Sequence, residues 1–222
     1  MVRTRVKICC ISSVDEAQLA VRAGADAIGL VGKMPSGPGP IPDAKIKEIA
    51  RQAPPGVSCF LLTSETSASG VAEHLLRTGA STVQLVQHLS LAETLSLDRV
   101  LLSTRRVQVI HMEDEGALEL ISKYEDHVHA FLLDSGRPSA ETPELGGTCR
   151  THDWDLSRRF VEAAKKPVFL AGGLTPENVG EAIARVKPYG VDVCSGVRTN
   201  GHLDPKKLDA FMTAIRHADR HR

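Results

Sequence analysis

Charge of one sign is what this sequence most clearly lacks: lysine and arginine total 27, aspartate and glutamate 27, and the formal net charge is zero. That balance removes the electrostatic case for a nucleic-acid or anionic-membrane partner, so any bound anion must be held by a local site. No apolar run reaches the roughly eighteen residues of a membrane span, and the opening "MVRTRVKICC" carries no signal-peptide pattern. A cytoplasmic protein is expected. The five cysteines (Cys9, Cys10, Cys59, Cys149 and Cys194) are an odd set without C-x-x-C spacing, which argues against a disulfide framework and a structural zinc site. Apart from His217 and His221 near the C-terminus, the histidines show no H-x-x-x-H spacing, and no metal is expected. No Pro/Ser-rich linker interrupts the chain, and one domain over residues 1–222 is the expectation.

What is present is a regular alternation. Apolar runs of strand length at 5–11, 27–32, 57–62, 82–86, 106–112, 130–134, 167–171 and 190–195 are separated by helical patterns such as "SVDEAQLAVRAGA" and "PDAKIKEIARQA". Strands alternating with amphipathic helices imply parallel strands joined by crossover helices. Eight such units in 222 residues predict an α/β fold, a single-domain (β/α)8 TIM barrel. Ser12 or Ser13 and Thr175, the last followed by Pro176, mark helix starts. Two long connections, "GKMPSGPGPIPD" and "SGRPSAETPELGGTCRTHDWD", fall after strands two and six, at the face where barrel enzymes keep their active sites.

Candidate chemistry gathers at the strand ends. In "VKICCIS" the alternation of a strand sends Lys7 and Cys9 to one side and Ile8 and Cys10 to the other. Facing inward, the ammonium would favour the Cys9 thiolate and make it a base or nucleophile. The three-residue pattern taken alone favours the plainer reading of a buried thiol with a lysine reaching the rim. "AFLLDS" ends a strand on Asp134, placed for proton transfer or for capping the next loop. "ELGGT" (Gly146, Gly147), "LAGGL" (Gly172, Gly173) and "CSGV" (Ser195, Gly196) let backbone N–H groups approach a phosphate. Two such pairs at consecutive late strand ends favour phosphate binding over ordinary turns. Trp154 reads as an anchor for the sixth loop, and His127 and His129 as structural residues at the opposite end of the barrel.

The order of "VKICCIS", "AGADAIGLV", "VQL", "LLD", "GGT…DW", "LAGGLTPENV" and "GVDVCSGV" resembles the phosphoribosylanthranilate isomerases, over essentially the whole chain. The resemblance implies a cofactor-free Amadori rearrangement in tryptophan biosynthesis, acting on a small phosphorylated sugar. It implies Asp134 as general acid, Cys9 as general base with Lys7 in support, and the substrate phosphate on the amides of Gly146, Gly147, Gly172, Gly173, Ser195 and Gly196. The chain departs from the family pattern at several points. Cys10 stands where the family has glycine, and "KMPSGPGPI" lacks the arginine that holds the anthranilate carboxylate. Val86 replaces a histidine and leaves Gln84, Cys149 replaces a glycine, and Arg198 replaces a glutamate. Lys33, Gln84 and Arg198 are then the candidate substrate-binding side chains. Two alternatives accompany this reading: an isomerase for a different phosphorylated aminosugar or aldose, and a non-catalytic phosphate-ligand binding protein on the same barrel. The sequence leaves the oligomeric state open.

Overall fold

The computed structural model describes residues 3–136 and 152–222. Eight strands, β1 (Arg5–Ile8), β2 (Ala27–Val31), β3 (Ser58–Thr63), β4 (Thr82–Leu85), β5 (Arg105–His111), β6 (Ala130–Asp134), β7 (Val168–Leu170) and β8 (Gly190–Val193), pair in parallel in chain order. The sheet closes where β8 meets β1, with Lys7 opposite Asp192 and Ile8 opposite Val193. The helices between and after them are α1 (Val14–Ala23), α2 (Asp43–Gln52), α3 (Ala68–Thr78), α4 (Leu91–Val100), α5 (Glu119–Tyr124), α6 (Trp154–Ala163), α7 (Val179–Val186) and α8 (Pro205–Arg220). All eight expected strands are found and the barrel is the one expected. A small antiparallel ribbon, β9 (Arg198–Thr199) and β10 (His202–Leu203), follows β8 and was not anticipated. No helix among the described residues is long and apolar enough to cross a membrane.

Strand alternation divides the core into two layers. Val6, Ile8, Ile28, Leu30, Leu61, Val83, Phe131, Leu170 and Val191 point outward and pack beneath the helices, in one continuous apolar layer. Ala27, Phe60, Val107, Val109, Leu132 and Phe169 point inward and fill the barrel axis. The helices begin where polar side chains can satisfy free N–H groups. Ser13 accepts from Glu16 N, Ser67 from Gly70 N, Ser90 from Glu93 N, and Asp204 from Lys206 N and Lys207 N, ahead of Pro205.

Thr175 does not open a helix as the sequence suggested. Asn178 accepts from Thr175 N at 2.8 Å and donates to Gly173 O at 2.9 Å, which holds residues 175–178 in a turn, and α7 starts only at Val179. The side-chain amide of Asn178 therefore fastens the glycine loop after β7. Trp154 is buried at the start of α6, whose cap is Asp153, consistent with an anchoring role. His127 binds Asp98 at 2.6 Å, and His129 accepts from Arg106 N at 3.1 Å, so both are tied into the surface between α4 and the start of β6.

Candidate active site

Observed β1 and β8 stop at Ile8 and Val193, before the expected ends at residues 11 and 195. The residues just past these ends form the cleft. It is lined by Cys9, Cys10, Gln84, Asp134, Asp192 and Cys194, by the glycine turn Gly172–Gly173, and by apolar Met34, Leu62, Val86 and Val109. Its volume is about 780 Å³, the open mouth included.

Beneath the cleft lies a buried ion pair. Lys7 is fully enclosed, and its Nζ donates to Asp192 Oδ2 at 2.9 Å directly across the β1–β8 seam. It also stands 5.6 Å from the centre of the Phe60 ring. Burial opposes the lysine charge, but Asp192 and Cys9 more than offset it and hold the ammonium. The other carboxylate oxygen of Asp192 is buried without a hydrogen-bond partner. Burial raises the Asp192 pKa against the pull of Lys7.

Room for this pair comes from a neighbouring strand. A Cβ at Gly29 on β2 would lie 2.7 Å from Cys9 Sγ and 3.0 Å from Lys7 Nζ, closer than side chains tolerate. The glycine in "AIGLV" is therefore part of the site, as is Asp192 in "GVDV". The signal for Asp192 was an acid on the inward side of the strand that closes against Lys7.

Cys9 is buried and its N–H donates to Val193 O at 2.8 Å, which extends the β1–β8 pairing by one residue. Its thiol pKa is lowered, first by the adjacent Cys10 thiol and then by the Lys7 charge, against the cost of burial. The Lys7 ammonium acts on both Cys9 and Asp192. Cys10 does not turn away from Cys9 as alternation would require. Its φ is +60°, in the left-handed region that glycine favours, and its side chain lines the same cleft. Cys10 Sγ donates to Pro38 O at 3.7 Å, and a Cβ at Gly39 would lie 2.7 Å from Cys10 Cβ. The loop after β2 thus rests on Cys10.

Asp134 ends β6 on the cleft wall. Burial pushes its pKa up to about 6, aided by the charge of Asp192 and opposed by the Ser135 amide and Lys7. Ser135 N donates to Asp134 Oδ1 at 2.7 Å. The cleft therefore presents a carboxyl held partly protonated near neutrality and a thiol shifted toward its thiolate.

The glycine loops meet at the other side. Gly172 and Gly173 have φ of +81° and +62°. Ser195–Val197 forms a single 3₁₀ turn, and a Cβ at Gly196 would lie 1.9 Å from Leu174 O. Only glycine permits this approach of two backbones. Gly172, Gly173 and Ser195 line the cleft. Gly146 and Gly147 lie outside the described residues.

Of the three candidate substrate-binding side chains, Gln84 alone lines the cleft, buried and with Oε1 unpartnered. Lys33 is exposed and is not part of the lining. Arg198 is a correction to the sequence reading. It is nearly buried, and its guanidinium donates to Glu16 at 3.0 and 3.3 Å, Gly201 O at 2.9 Å, Cys9 O at 3.2 Å and Cys10 O at 2.6 Å. A fork so committed to protein acceptors is not placed to meet a substrate carboxylate. Among the described residues that line the cleft there is no lysine or arginine.

The chain was compared with known proteins. The family model described as N-(5'phosphoribosyl)anthranilate isomerase matches residues 6–214. The N-(5'-phosphoribosyl)anthranilate isomerase 2 of Methanosarcina mazei is 37% identical, covering 94% of this chain and 92% of that protein. The N-(5'-phosphoribosyl)anthranilate isomerase of Haloferax volcanii is 38% identical, covering 97% and 94%. A solved phosphoribosylanthranilate isomerase, in complex with reduced 1-(o-carboxyphenylamino)-1-deoxyribulose 5-phosphate, superposes with a TM-score of 0.79 at 25% identity, covering 96% and 99%.

Proposed function

We infer the function from a single premise, that the chain belongs to the N-(5'-phosphoribosyl)anthranilate isomerase family. It is an isomerase of tryptophan biosynthesis, converting phosphoribosylanthranilate to the aminodeoxyribulose phosphate. The observation that carries the residue assignment is the divergence of two titratable groups in one cleft, the Asp134 carboxyl raised and the Cys9 thiol lowered. Groups whose surroundings push their pKa values in opposite senses are suited to opposite proton transfers.

Asp134 in its protonated form gives its proton to the ribose ring oxygen as the C1–O bond breaks. The anthranilate nitrogen lone pair forms the C1=N bond, and the sugar opens to a Schiff base. Cys9 as thiolate takes the C2 proton, and the electrons of that C–H bond flow back to nitrogen to give the enolamine. Tautomerisation of the enol then yields the ketose. Every electron pair moves within the substrate, so the sequence is redox-neutral. Each proton transfer contributes roughly 10²–10⁴-fold.

The substrate phosphate rests on backbone amides of the Gly172–Gly173 and Ser195–Gly196 turns, which pack so closely that a Cβ at Gly196 would meet Leu174 O. Gly146 and Gly147 are assigned to the same anion by the resemblance alone. The anthranilate ring lies against Met34, Leu62, Val86 and Val109. Gln84 supplies a polar contact, and with no cation on the described wall the carboxylate is recognised by neutral donors.

Freshly generated phosphoribosylanthranilate, followed by the loss of its fluorescence, tests the assignment. The wild-type protein is expected to turn it over, and Cys9→Ala and Asp134→Ala to lose roughly 10²–10⁴-fold each in kcat with folding intact. Unchanged kcat in either folded variant would remove that residue from the mechanism.

A further inference from the structure

Three thiols meet in this cleft, and the proton-transfer sequence uses one of them. Cys9, Cys10 and Cys194 all line it, and they share one small apolar cluster with Val31. Cys10 interacts with both of the others, Cys9 on one side and Cys194 on the other. By the resemblance, Cys10 stands where the family pattern has glycine, so its sulfur is among this chain's own departures. Cys10 is moreover held at φ +60°, and it is that conformation, unusual for a non-glycine residue, that brings its side chain into the cleft.

We propose that Cys9, Cys10 and Cys194 form a relay that carries oxidation by a hydroperoxide away from Cys9 and stores it as a reversible Cys10–Cys194 disulfide. This goes beyond the isomerase reading and stands on the juxtaposition of the sulfurs. The Cys9 thiolate attacks the peroxide, the O–O bond breaks, and Cys9 becomes a sulfenic acid as hydroxide or alkoxide leaves. The Cys10 thiol displaces water from that sulfenic acid and forms a Cys9–Cys10 bridge. The Cys194 thiolate then attacks Cys10 Sγ, expelling Cys9 as thiolate and leaving Cys10–Cys194. In sum two thiols give two electrons and two protons, and the peroxide becomes an alcohol, or water, plus water.

The order follows from geometry and from leaving-group chemistry. Adjacent residues joined by a trans peptide have Cα atoms about 3.8 Å apart, short of the roughly 4.4–6.8 Å that disulfides prefer, so the vicinal bridge is strained and labile. The β1–β8 register puts Cys194 level with Cys9, so Cys10 lies one residue past it on strands about 4.8 Å apart, a diagonal of roughly 6 Å that is still within the disulfide range. Cys9 is the thiol whose anion is favoured, and the more acidic thiol leaves faster. The bridge would tie the turn after β1 to Cys194, which caps the 3₁₀ turn assigned to phosphate. It would also take Cys10 Sγ from Pro38 O and free the loop after β2.

The test uses the full chain, reduced, freed of reductant and treated with one equivalent of hydrogen peroxide. Remaining thiols are then alkylated, and peptides are mapped by mass spectrometry with fragmentation between the adjacent cysteines. The expected result is loss of two free thiols, a Cys10–Cys194 cross-link with Cys9 still alkylated, and full reversal by dithiothreitol. In Cys10→Gly the relay is cut at its first exchange, and Cys9 sulfinic acid should accumulate several-fold faster than in wild type, whereas Cys194→Ser should stop at the Cys9–Cys10 bridge. Equal sulfinic acid formation in wild type and Cys10→Gly would overturn the proposal. So would a stable bridge to Cys9, Cys59 or Cys149 in wild type. The readout is covalent and independent of turnover, so its failure leaves the isomerase assignment standing.

Discussion

At the end of β1, Cys10 occupies a backbone conformation that costs an L side chain about 1 kcal/mol or more. Cys10→Gly is therefore expected to raise stability by about 1 kcal/mol, read as an increased urea midpoint with unchanged slope. An unchanged or lowered midpoint would mean that the Cys10 contacts with the loop after β2 outweigh the strain. This residue also shows where reading by alternation fails. A period of two predicts that adjacent side chains face apart, but the rule applies within a strand, and β1 ends two residues earlier. Asp134 was legible as a candidate because it lies at an expected strand end, and Cys9 because alternation puts it on the same side as Lys7. Gly29 was not, since the need for glycine there is set by atoms of β1 that approach it only in the closed barrel.

The element that fixes β1 is a knot of side chains rather than the strand itself. Glu16 on α1 receives Arg198, the Leu203 N–H at 2.8 Å, the Ser12 N–H at 2.9 Å and the Ser12 hydroxyl at 3.1 Å, while Arg198 holds the carbonyls of Cys9 and Cys10. The knot joins the β1–α1 turn to the β9–β10 ribbon, which follows the neighbouring strand β8. Burial raises the Glu16 pKa, but Arg198 and the two amides overcome it and leave it lowered. Glu16→Gln should cost about 2–4 kcal/mol in chemical denaturation, since it leaves Arg198 charged and poorly paired. It should also lower kcat more than it raises KM, because the base moves while the phosphate loops remain. A loss confined to stability would limit the knot to holding the fold. Sequence reading treated Arg198 as free to bind substrate because its partner stands 182 positions away. Nothing in local spacing connects them.

Across the whole molecule, the barrel was readable because eight apolar runs of strand length alternate with amphipathic helical patterns. The interior charges were not, since Lys7 and Asp192 become neighbours only when β8 closes on β1. That closure sets the cost of the acid. Asp134 has a folded pKa of about 6, above the ordinary 3.8, so the folded state holds its proton more tightly than the unfolded chain. Its contribution to stability is present below pH 4 and is lost as pH rises through 6. Asp134→Asn cannot ionise, and it should exceed wild type in stability by about 1–3 kcal/mol at pH 8, with the gap closing near pH 4. Thermal unfolding at the two pH values checks this; a gap of the same size at both would assign the effect to packing. One closed barrel tunes an acid and a base in opposite directions, and the pH dependence of kcat/KM in the wild-type protein should report both. The predicted profile is a bell whose two limbs are macroscopic constants of the Asp134–Cys9 pair, one near 6 and the other below the ordinary thiol value. A rate independent of pH between 5 and 9 would contradict it.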